Sequence, residues 1–163
     1  IVTGGRVICV TGDGGFYLNV QELEVVKREK LNIKYFVFCN GGYGSISTMQ
    51  DARFNLRVGA EPSSGFTLPD LERMAAVWGF AYHRIDDNGQ LDKIRDIIHG
   101  EQTAIVKVNT SLAFRYATKV QSSLKDGKFV NDDMEDMTPK IPELAALMAG
   151  EDLNWLEWAR AQK

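Results

Sequence analysis

Two short motifs rich in glycine carry the residue types needed to bind a metal ion together with a diphosphate. The first is Gly-Asp-Gly-Gly at residues 12–15, and the second is Asn-Gly-Gly-Tyr-Gly at residues 40–44. The carboxylate of Asp13 and the amide oxygen of Asn40 are hard ligands of the kind Mg²⁺ takes alongside phosphate and water oxygens. Glycines let backbone N–H groups approach an anion that a Cβ would obstruct. The residue types therefore predict a magnesium-bridged diphosphate site.

The segments around the motifs predict two strands joined by a helix. Residues 6–11 and 35–39 are nearly continuous apolar runs, which is typical of strands covered on both faces. Between them, Asn19 and Glu22 have the spacing of a capping box at the start of an amphipathic helix. In a right-handed βαβ unit both motifs follow the carboxyl ends of neighbouring parallel strands. We therefore expect the two motifs to meet at one rim of the sheet.

Strand and helix patterns continue to alternate as far as residue 109. Further helices are predicted to begin at Ser45, at Asp70 and near Asp87, with strands over residues 80–85 and 103–109. The alternation predicts an α/β fold, a doubly wound, mostly parallel sheet with helices on both faces. We expect one domain over residues 1–163.

Residues 110–163 depart from the strand and helix alternation and are predicted to form a tail packing on that domain. A hairpin is predicted about Asp126-Gly127. The acidic run at residues 131–137 is interpreted as a solvated face, because it lacks the glycine and spacing of a calcium site. Within the main domain, residues 55–65 read as a loop that either borders a substrate channel or is a plain surface connection.

The two motifs resemble the cofactor motif of the thiamine-diphosphate-dependent enzymes, which begins with Gly-Asp-Gly and ends with Asn-Asn a little under thirty residues later. Asp13 and Asn40 are 40 − 13 = 27 positions apart. Residues 19–23, Asn-Val-Gln-Glu-Leu, look like the family's N-x-Q-E-L helix start, and residues 40–44 look like its N-G-x-x-G turn. Cys39 stands where the family has the first Asn of the pair, which is not expected to be the metal ligand.

The resemblance implies a ligand set for the site. Mg²⁺ would be bound by the Asp13 carboxylate, the side-chain oxygen of Asn40 and the backbone carbonyl of Gly42. The residues implied to bind the cofactor are Gly12, Asp13, Gly14, Gly15, Asn40, Gly42, Tyr43 and Gly44. No catalytic residue is implied on this chain, because in the family a separate pyrimidine-binding domain supplies the glutamate that activates the cofactor. His83 is interpreted as structural, because no partner is apparent to orient it.

A weaker similarity favours one branch of the family. Residues 126–130, Asp-Gly-Lys-Phe-Val, and residues 135–137, Glu-Asp-Met, look like the tails of acetolactate-synthase-like members. This implies an enzyme that acts on 2-oxo acids by decarboxylation followed by carboligation. The alternatives are a 2-oxo acid decarboxylase subunit, or a diverged module that only binds the cofactor or mediates assembly. A dehydrogenase ranks last, because the Gly-x-Gly-x-x-Gly spacing is absent.

The composition limits the kinds of partner that the chain is expected to bind. The net charge is 19 − 22 = −3, and neither a basic stripe nor a membrane-length apolar run is present, which predicts no nucleic acid and no membrane partner. Cys9 and Cys39 are interpreted as reduced, which is consistent with a cytoplasmic protein. The chain opens at Ile1 without an initiator Met, so we expect a C-terminal fragment of a larger enzyme, inactive alone. The resemblance implies that its partners are the pyrimidine-binding domain, on the same or a separate chain, and further copies in a homo-oligomer.

Overall fold

The computed structural model describes residues 5–113, 120–133 and 137–138. The chain divides into two compact units, Ile1–Phe114 and Arg115–Lys163. The residues 135–136 of the Glu-Asp-Met similarity and the expected helices beyond residue 141 lie outside the described residues. The expectation of one domain with a tail packed on it stays a prediction.

The first unit contains a sheet of four parallel strands. They are β1 (Val7–Gly12), β2 (Ile33–Cys39), β3 (Ala81–Ile85) and β4 (Ala104–Asn109). The strand order is β1-β2-β4-β3, with Val37 of β2 paired to Thr11 on one side and to Lys107 on the other. All four carboxyl ends therefore lie along one edge of the sheet.

Helices cover both faces of this sheet. They are α1 (Asp13–Leu18), α2 (Leu23–Arg28), α3 (Gly44–Phe54), α4 (Leu71–Trp78) and α5 (Lys93–His99). Side chains of α1, α2 and α4 form one core with Val37 and Ile105, whereas Ile97 of α5 belongs to a second core with Phe36 and Val106. Successive strand residues point to opposite faces, so the two cores lie on opposite sides. The predicted α/β fold with a parallel sheet is confirmed.

Two predicted helix starts are wrong. A helix begins already at Asp13 and ends at Asn19, whose N–H donates to the carbonyl of Phe16 at 3.3 Å. No capping hydrogen bond from the Asn19 side chain forms, and a short 3₁₀ turn leads from it into α2. Similarly, α3 begins at Gly44, and its N-cap is Tyr43, two residues before the predicted Ser45 cap. At neither place is the N-cap stabilised by a side-chain hydrogen bond.

The prediction that β1 is covered on both faces is also wrong. Ile8 and Val10 of β1 are 51% and 67% exposed, and Phe38 beside them on β2 is 43% exposed. These three side chains project from the same face of the sheet. The reason is position: β1 is an edge strand, and the second core lies over β2, β4 and β3 instead.

The second unit contains the predicted hairpin. Its antiparallel strands are β5 (Ser122–Lys125) and β6 (Lys128–Asn131), with Leu124 opposite Phe129. Asp126 and Gly127 join them with φ of 50° and 73°. Two successive left-handed residues match the right-handed twist of the strands, which is the reason Asp-Gly favours this turn. Within the described part of the chain, every helix is too short or too polar to cross a bilayer.

Candidate functional site

The Asp13 carboxylate joins the two glycine motifs. Asp13 directly follows β1, and only 5% of it is exposed. Its Oδ1 accepts the backbone N–H of Gly14 at 2.8 Å, and its Oδ2 accepts those of Asn40 and Gly41 at 3.1 and 3.2 Å. The predicted meeting of the motifs therefore occurs, and the backbone of Asn40 makes the contact.

This buried carboxylate has no cationic side chain beside it. Among residues 5–113, no Lys, Arg or His nitrogen forms an ion pair with Asp13. The three backbone N–H groups that contact the carboxylate carry no full charge to balance it. A buried negative charge without a counter-ion is costly, which makes a bound cation favourable at this position.

The Asn40 side chain shapes the second motif. Its Oδ1 accepts the N–H of Gly42 at 3.0 Å, which closes a tight turn around Gly41. Gly41 has φ of +82°, a conformation that glycine adopts without strain. A Cβ on Gly44 would lie 2.8 Å from Asn40 Nδ2. The turn therefore requires glycines at residues 41 and 44 because of its own geometry.

Gly42 and Tyr43 pack against the loop at residues 55–66. The N–H of Tyr43 donates to the Ala60 carbonyl at 2.7 Å, and a Cβ on Gly42 would lie 2.4 Å from that same oxygen. The Tyr43 ring stacks on Phe66, with 4.2 Å between ring centroids. Its other side faces Gly14, where a Cβ would come within 2.2 Å of the ring. Tyr43 thus connects the first motif to the loop.

The first motif is less crowded at its start than at its centre. A Cβ on Gly12 would meet no atom within 4 Å, and one on Gly15 would meet only Thr11 Oγ1, at 3.2 Å. The space beside Gly12 is therefore open to a ligand. The N–H of Gly14, in contrast, already donates to Asp13.

A cleft of about 520 Å³ opens beside Asp13 and Asn40 at the carboxyl edge of the sheet. Besides the two motifs, its polar lining comes from Tyr17, Asp70, Lys107, Asn109 and Thr110. Sequence reasoning missed these residues as members of a site. The signal for Lys107 and Asn109 was their place at the end of a strand, but nothing local indicates that β4 lies beside β2.

Cys39 also lines the cleft. Its thiol contacts the carbonyl of Val37 at 3.4 Å, and it is free, as is Cys9. Burial first, and then the charge of Asp13, raise the pKa of Cys39 to about 11, with Lys107 acting in the opposite direction. The thiol is therefore neutral at pH 7 and poorly suited to act as a nucleophile.

Neither of two other titratable side chains is placed as a base at the site. Tyr17 donates from its hydroxyl to the Pro69 carbonyl at 2.5 Å, and burial, then Cys39 and the nearby acids, raise its pKa. His83 is half-buried on β3 and is not among the residues lining the cleft. Burial and then the nearby Lys34 lower the pKa of His83. Its interpretation as a structural residue fits this position.

Comparison with known proteins identifies the family. Residues 2–108 match the family described as thiamine pyrophosphate enzyme, C-terminal TPP binding domain. The chain belongs to this family. Thiamine pyrophosphate is another name for thiamine diphosphate, so the resemblance of the two motifs is confirmed at the level of the family. The matched segment contains both motifs of this thiamine-diphosphate-binding domain and the four parallel strands except Asn109, the last residue of β4.

The curated relatives of this domain include acetolactate synthases. The chain is 32% identical over 93 residues to the acetolactate synthase large subunit of Cyanidium caldarium, a match covering 56% of this chain and 16% of that protein. It is 33% identical over 93 residues to the isozyme 2 large subunit of Escherichia coli (strain K12), covering 55% and 16% respectively. The chain thus spans only about a sixth of the length of these relatives.

A solved structure supports the fold of this domain. The benzoylformate decarboxylase from Polynucleobacter necessarius matches 70% of this chain and 21% of its own, with a TM-score of 0.59 and 20% sequence identity. At that identity the similarity concerns the fold alone. The shared fold is a parallel sheet flanked by helices, which agrees with the thiamine-diphosphate-binding fold.

Proposed function

We propose that this chain is the Mg²⁺- and diphosphate-binding domain of a thiamine-diphosphate-dependent enzyme that acts on 2-oxo acids. The reaction we propose is carboligation after decarboxylation, as in the acetolactate synthases named among its relatives. The observation that carries the proposal is the buried Asp13 carboxylate, held by the backbone of Asn40 and Gly41 from 27 positions away and lacking a cationic partner in the described chain.

The donor atoms at the site suit Mg²⁺. The described residues contain no group of three or more His, Cys, Asp or Glu side chains able to bind a metal. Mg²⁺ needs no such cage, because it takes one or two protein carboxylates and completes its shell with phosphate and water oxygens. We assign the protein ligands as the Asp13 carboxylate, the Asn40 side-chain oxygen and the Gly42 carbonyl.

The glycines and Tyr43 would contact the diphosphate. Gly12 leaves open space beside the backbone, and the turn through Gly42, Tyr43 and Gly44 is kept compact by the contacts with Ala60 and Asn40. Gly14 and Gly15 lie in the first turn of α1, where backbone N–H groups lack helical partners, although that of Gly14 donates to the Asp13 carboxylate. When bound, thiamine diphosphate supplies the electron sink for decarboxylation of a 2-oxo acid. This chain's residues would bind and orient it.

The remaining parts of the proposal concern the assembly. We place the activating glutamate on a pyrimidine-binding domain, on the same polypeptide or on a separate subunit, and we expect a cytoplasmic homo-oligomer. The two free cysteines are in keeping with a reducing compartment. A decarboxylase subunit without carboligation is the alternative within the same chemistry, and a diverged module that only binds the cofactor or mediates assembly is the alternative outside it.

Calorimetric titration of thiamine diphosphate into the chain tests the proposal, with and without Mg²⁺ and with and without an added pyrimidine-binding domain. We expect saturable binding that requires Mg²⁺. Asp13→Asn should weaken it at least about tenfold, because the ion loses its charged ligand, and tenfold corresponds to about 1.4 kcal/mol. Asp92→Asn, which changes an exposed acid outside the cleft, is the matched control.

Two results would contradict the proposal. Equal affinity with and without Mg²⁺, or an unchanged affinity in Asp13→Asn, would show that the proposed ion site does not contribute to binding. Absence of binding in every mixture, with the chain folded by circular dichroism, would leave the diverged module as the function.

A further inference from the structure

Glu61 is a buried carboxylate next to the second glycine motif but outside the predicted ligand set. It lies in the loop at residues 55–66, and only 7% of it is exposed. Its Oε2 accepts from Arg57 Nη1 at 2.9 Å and lies 3.4 Å from Ser47 Oγ, and its Oε1 accepts from Ser63 Oγ at 3.2 Å. A buried carboxylate with several donors around it fixes the backbone that carries it.

Arg57 connects this carboxylate to α3. Its Nε and Nη2 donate to the two carboxylate oxygens of Asp51, both at 2.6 Å, while Nη1 serves Glu61. The hydrogen bonds to Asp51 contribute most to raising the pKa of Arg57, and the hydrogen bond to Glu61 raises it further. A planar guanidinium that binds one carboxylate through two donors has little freedom to rotate. The loop is therefore attached to α3 at a defined distance.

Ser47 carries the connection to the second motif. Its side chain is completely buried, and its Oγ donates to the Tyr43 carbonyl at 2.9 Å as well as approaching Glu61 Oε2. The Ser47 N–H donates to the same Tyr43 carbonyl at 2.8 Å. The carboxylate of Glu61 and the backbone of Tyr43 thus share one buried hydroxyl.

The residue before Glu61 makes the decisive backbone contact. The Ala60 carbonyl accepts the N–H of Tyr43 at 2.7 Å and lies where a Cβ of Gly42 would be. Ser64 Oγ accepts the N–H groups of Ala60 and Glu61 at 2.9 and 3.0 Å, which leaves the Ala60 peptide little room to rotate. The Ala60 carbonyl belongs to the peptide bond that joins Ala60 to Glu61, so anchoring of Glu61 limits where that carbonyl can lie against the turn.

We propose that Glu61, with Arg57 and Ser47, is a positioning residue for the cofactor site, holding the Gly42-Tyr43 turn so that the Gly42 carbonyl faces the ion. The part of this inference that concerns the ion rests on the proposed function. The part that concerns the turn does not, because every contact in it is made by the chain alone.

Amide hydrogen exchange of the ligand-free 163-residue chain tests the positioning of the turn. In Glu61→Gln the new amide places a donor among the donors of Arg57, Ser47 and Ser63, so part of the network is lost. We expect exchange at the Tyr43 amide to accelerate about tenfold or more, the usual effect of losing a buried hydrogen bond to a charged group. Amides of β2 and β4 should change little. Glu29→Gln, which alters an exposed carboxylate paired with Arg28, is the matched control.

The outcomes separate a local from a general role. Unchanged exchange at Tyr43 overturns the proposal. Equal acceleration throughout the sheet also overturns it, because Glu61 would then contribute only to the stability of the whole domain.

A second measurement addresses the ion. Inorganic diphosphate with Mg²⁺ is titrated into the wild type and into Glu61→Gln, with the thermal midpoint recorded for both. We expect the variant's affinity to fall about tenfold. An unchanged affinity would overturn the link between the turn and the ion. If the wild type binds no Mg²⁺-diphosphate while exchange at Tyr43 still accelerates locally, the proposed function fails and Glu61 remains a positioning residue of the turn.

Discussion

The glycines of the two motifs are required for different physical reasons. Gly41 has a positive φ, and Gly42 lies against a backbone carbonyl that cannot move aside as a flexible side chain would. Gly12 has open space around its Cα, so packing within the protein does not require a glycine there. Sequence reasoning treated all of them as sites of close approach by an anion. Close approach of an anion stays a prediction for Gly12, whereas Gly41 and Gly42 also need glycine for reasons internal to the protein.

Gly42→Ala should destabilise the domain. Its Cβ would lie 2.4 Å from the Ala60 carbonyl oxygen, so the turn and the loop must separate. We expect a loss of roughly 1–3 kcal/mol in the free energy of unfolding, the usual cost of overpacking. Urea denaturation measures it. Gly12→Ala is the comparison, and it should cost less than about 1 kcal/mol, the effect of placing Ala at an N-cap. Equal losses in the two variants would contradict this account.

At the scale of elements, helix boundaries follow local chemistry only where a side chain caps the helix. Asp70 was predicted as the start of α4 and its Oδ1 accepts the N–H of Arg73 at 2.8 Å. The same helix ends at Gly79, which has φ of 70°. Asn19 and Ser45 have equally suitable residue types, but Asn19 makes no capping hydrogen bond and the N-cap of α3 is Tyr43 instead of Ser45.

Asp70→Ala should therefore destabilise α4, and Asp92→Ala should have a smaller effect on α5. Asp92 occupies an N-cap position without a side-chain capping bond. Loss of a working N-cap typically costs about 1 kcal/mol, and a surface change away from such features stays within about 0.5 kcal/mol. Denaturant midpoints of both variants, at an unchanged m-value, give the comparison. A larger loss in Asp92→Ala would show that the capping contact of Asp70 has little energetic weight.

At the scale of the molecule, the cleft is built by strands that are distant in sequence. β1 and β2 supply the two motifs, and β4 supplies Lys107 and Asn109. Asp86, after β3, accepts hydrogen bonds from both Arg84 and Asn109, which extends the polar row along the carboxyl edge. Among the lining residues, burial raises the pKa of both Cys39 and Tyr17, so both side chains are protonated at pH 7 and neither is ready to act as a general base.

We accordingly predict that the 163-residue chain alone does not release CO₂ from a 2-oxo acid such as pyruvate when thiamine diphosphate and Mg²⁺ are supplied. Activity should appear when a pyrimidine-binding domain is added, and Asp13→Asn in that mixture should abolish most of it. A coupled assay for CO₂ measures both. Turnover by the isolated chain would show that the activating group lies within these residues. It would contradict the proposal that a separate pyrimidine-binding domain supplies that group.

The sequence by itself determined the parallel α/β fold, the family, the two motifs and the Asp-Gly hairpin. The fold and the hairpin follow from periodicity and turn chemistry, which act over short distances along the chain, and the family follows from the resemblance of the two motifs to a known cofactor motif. It also fixed that Asp13 would meet the residues at Asn40, because a single βαβ unit has one favoured hand.

Only the tertiary structure decided which strands are central and which loop residues are buried. β1 proved to be an exposed edge. Lys34, which the sequence placed outside the strand, is buried in β2 with its amine donating to the Gln102 carbonyl. Glu61 lies in a loop that the sequence allowed to be a plain surface connection, yet its side chain is buried next to the second motif. The physical reason is shared: strand order and burial depend on packing between segments far apart in sequence, and no local pattern records which segments those will be.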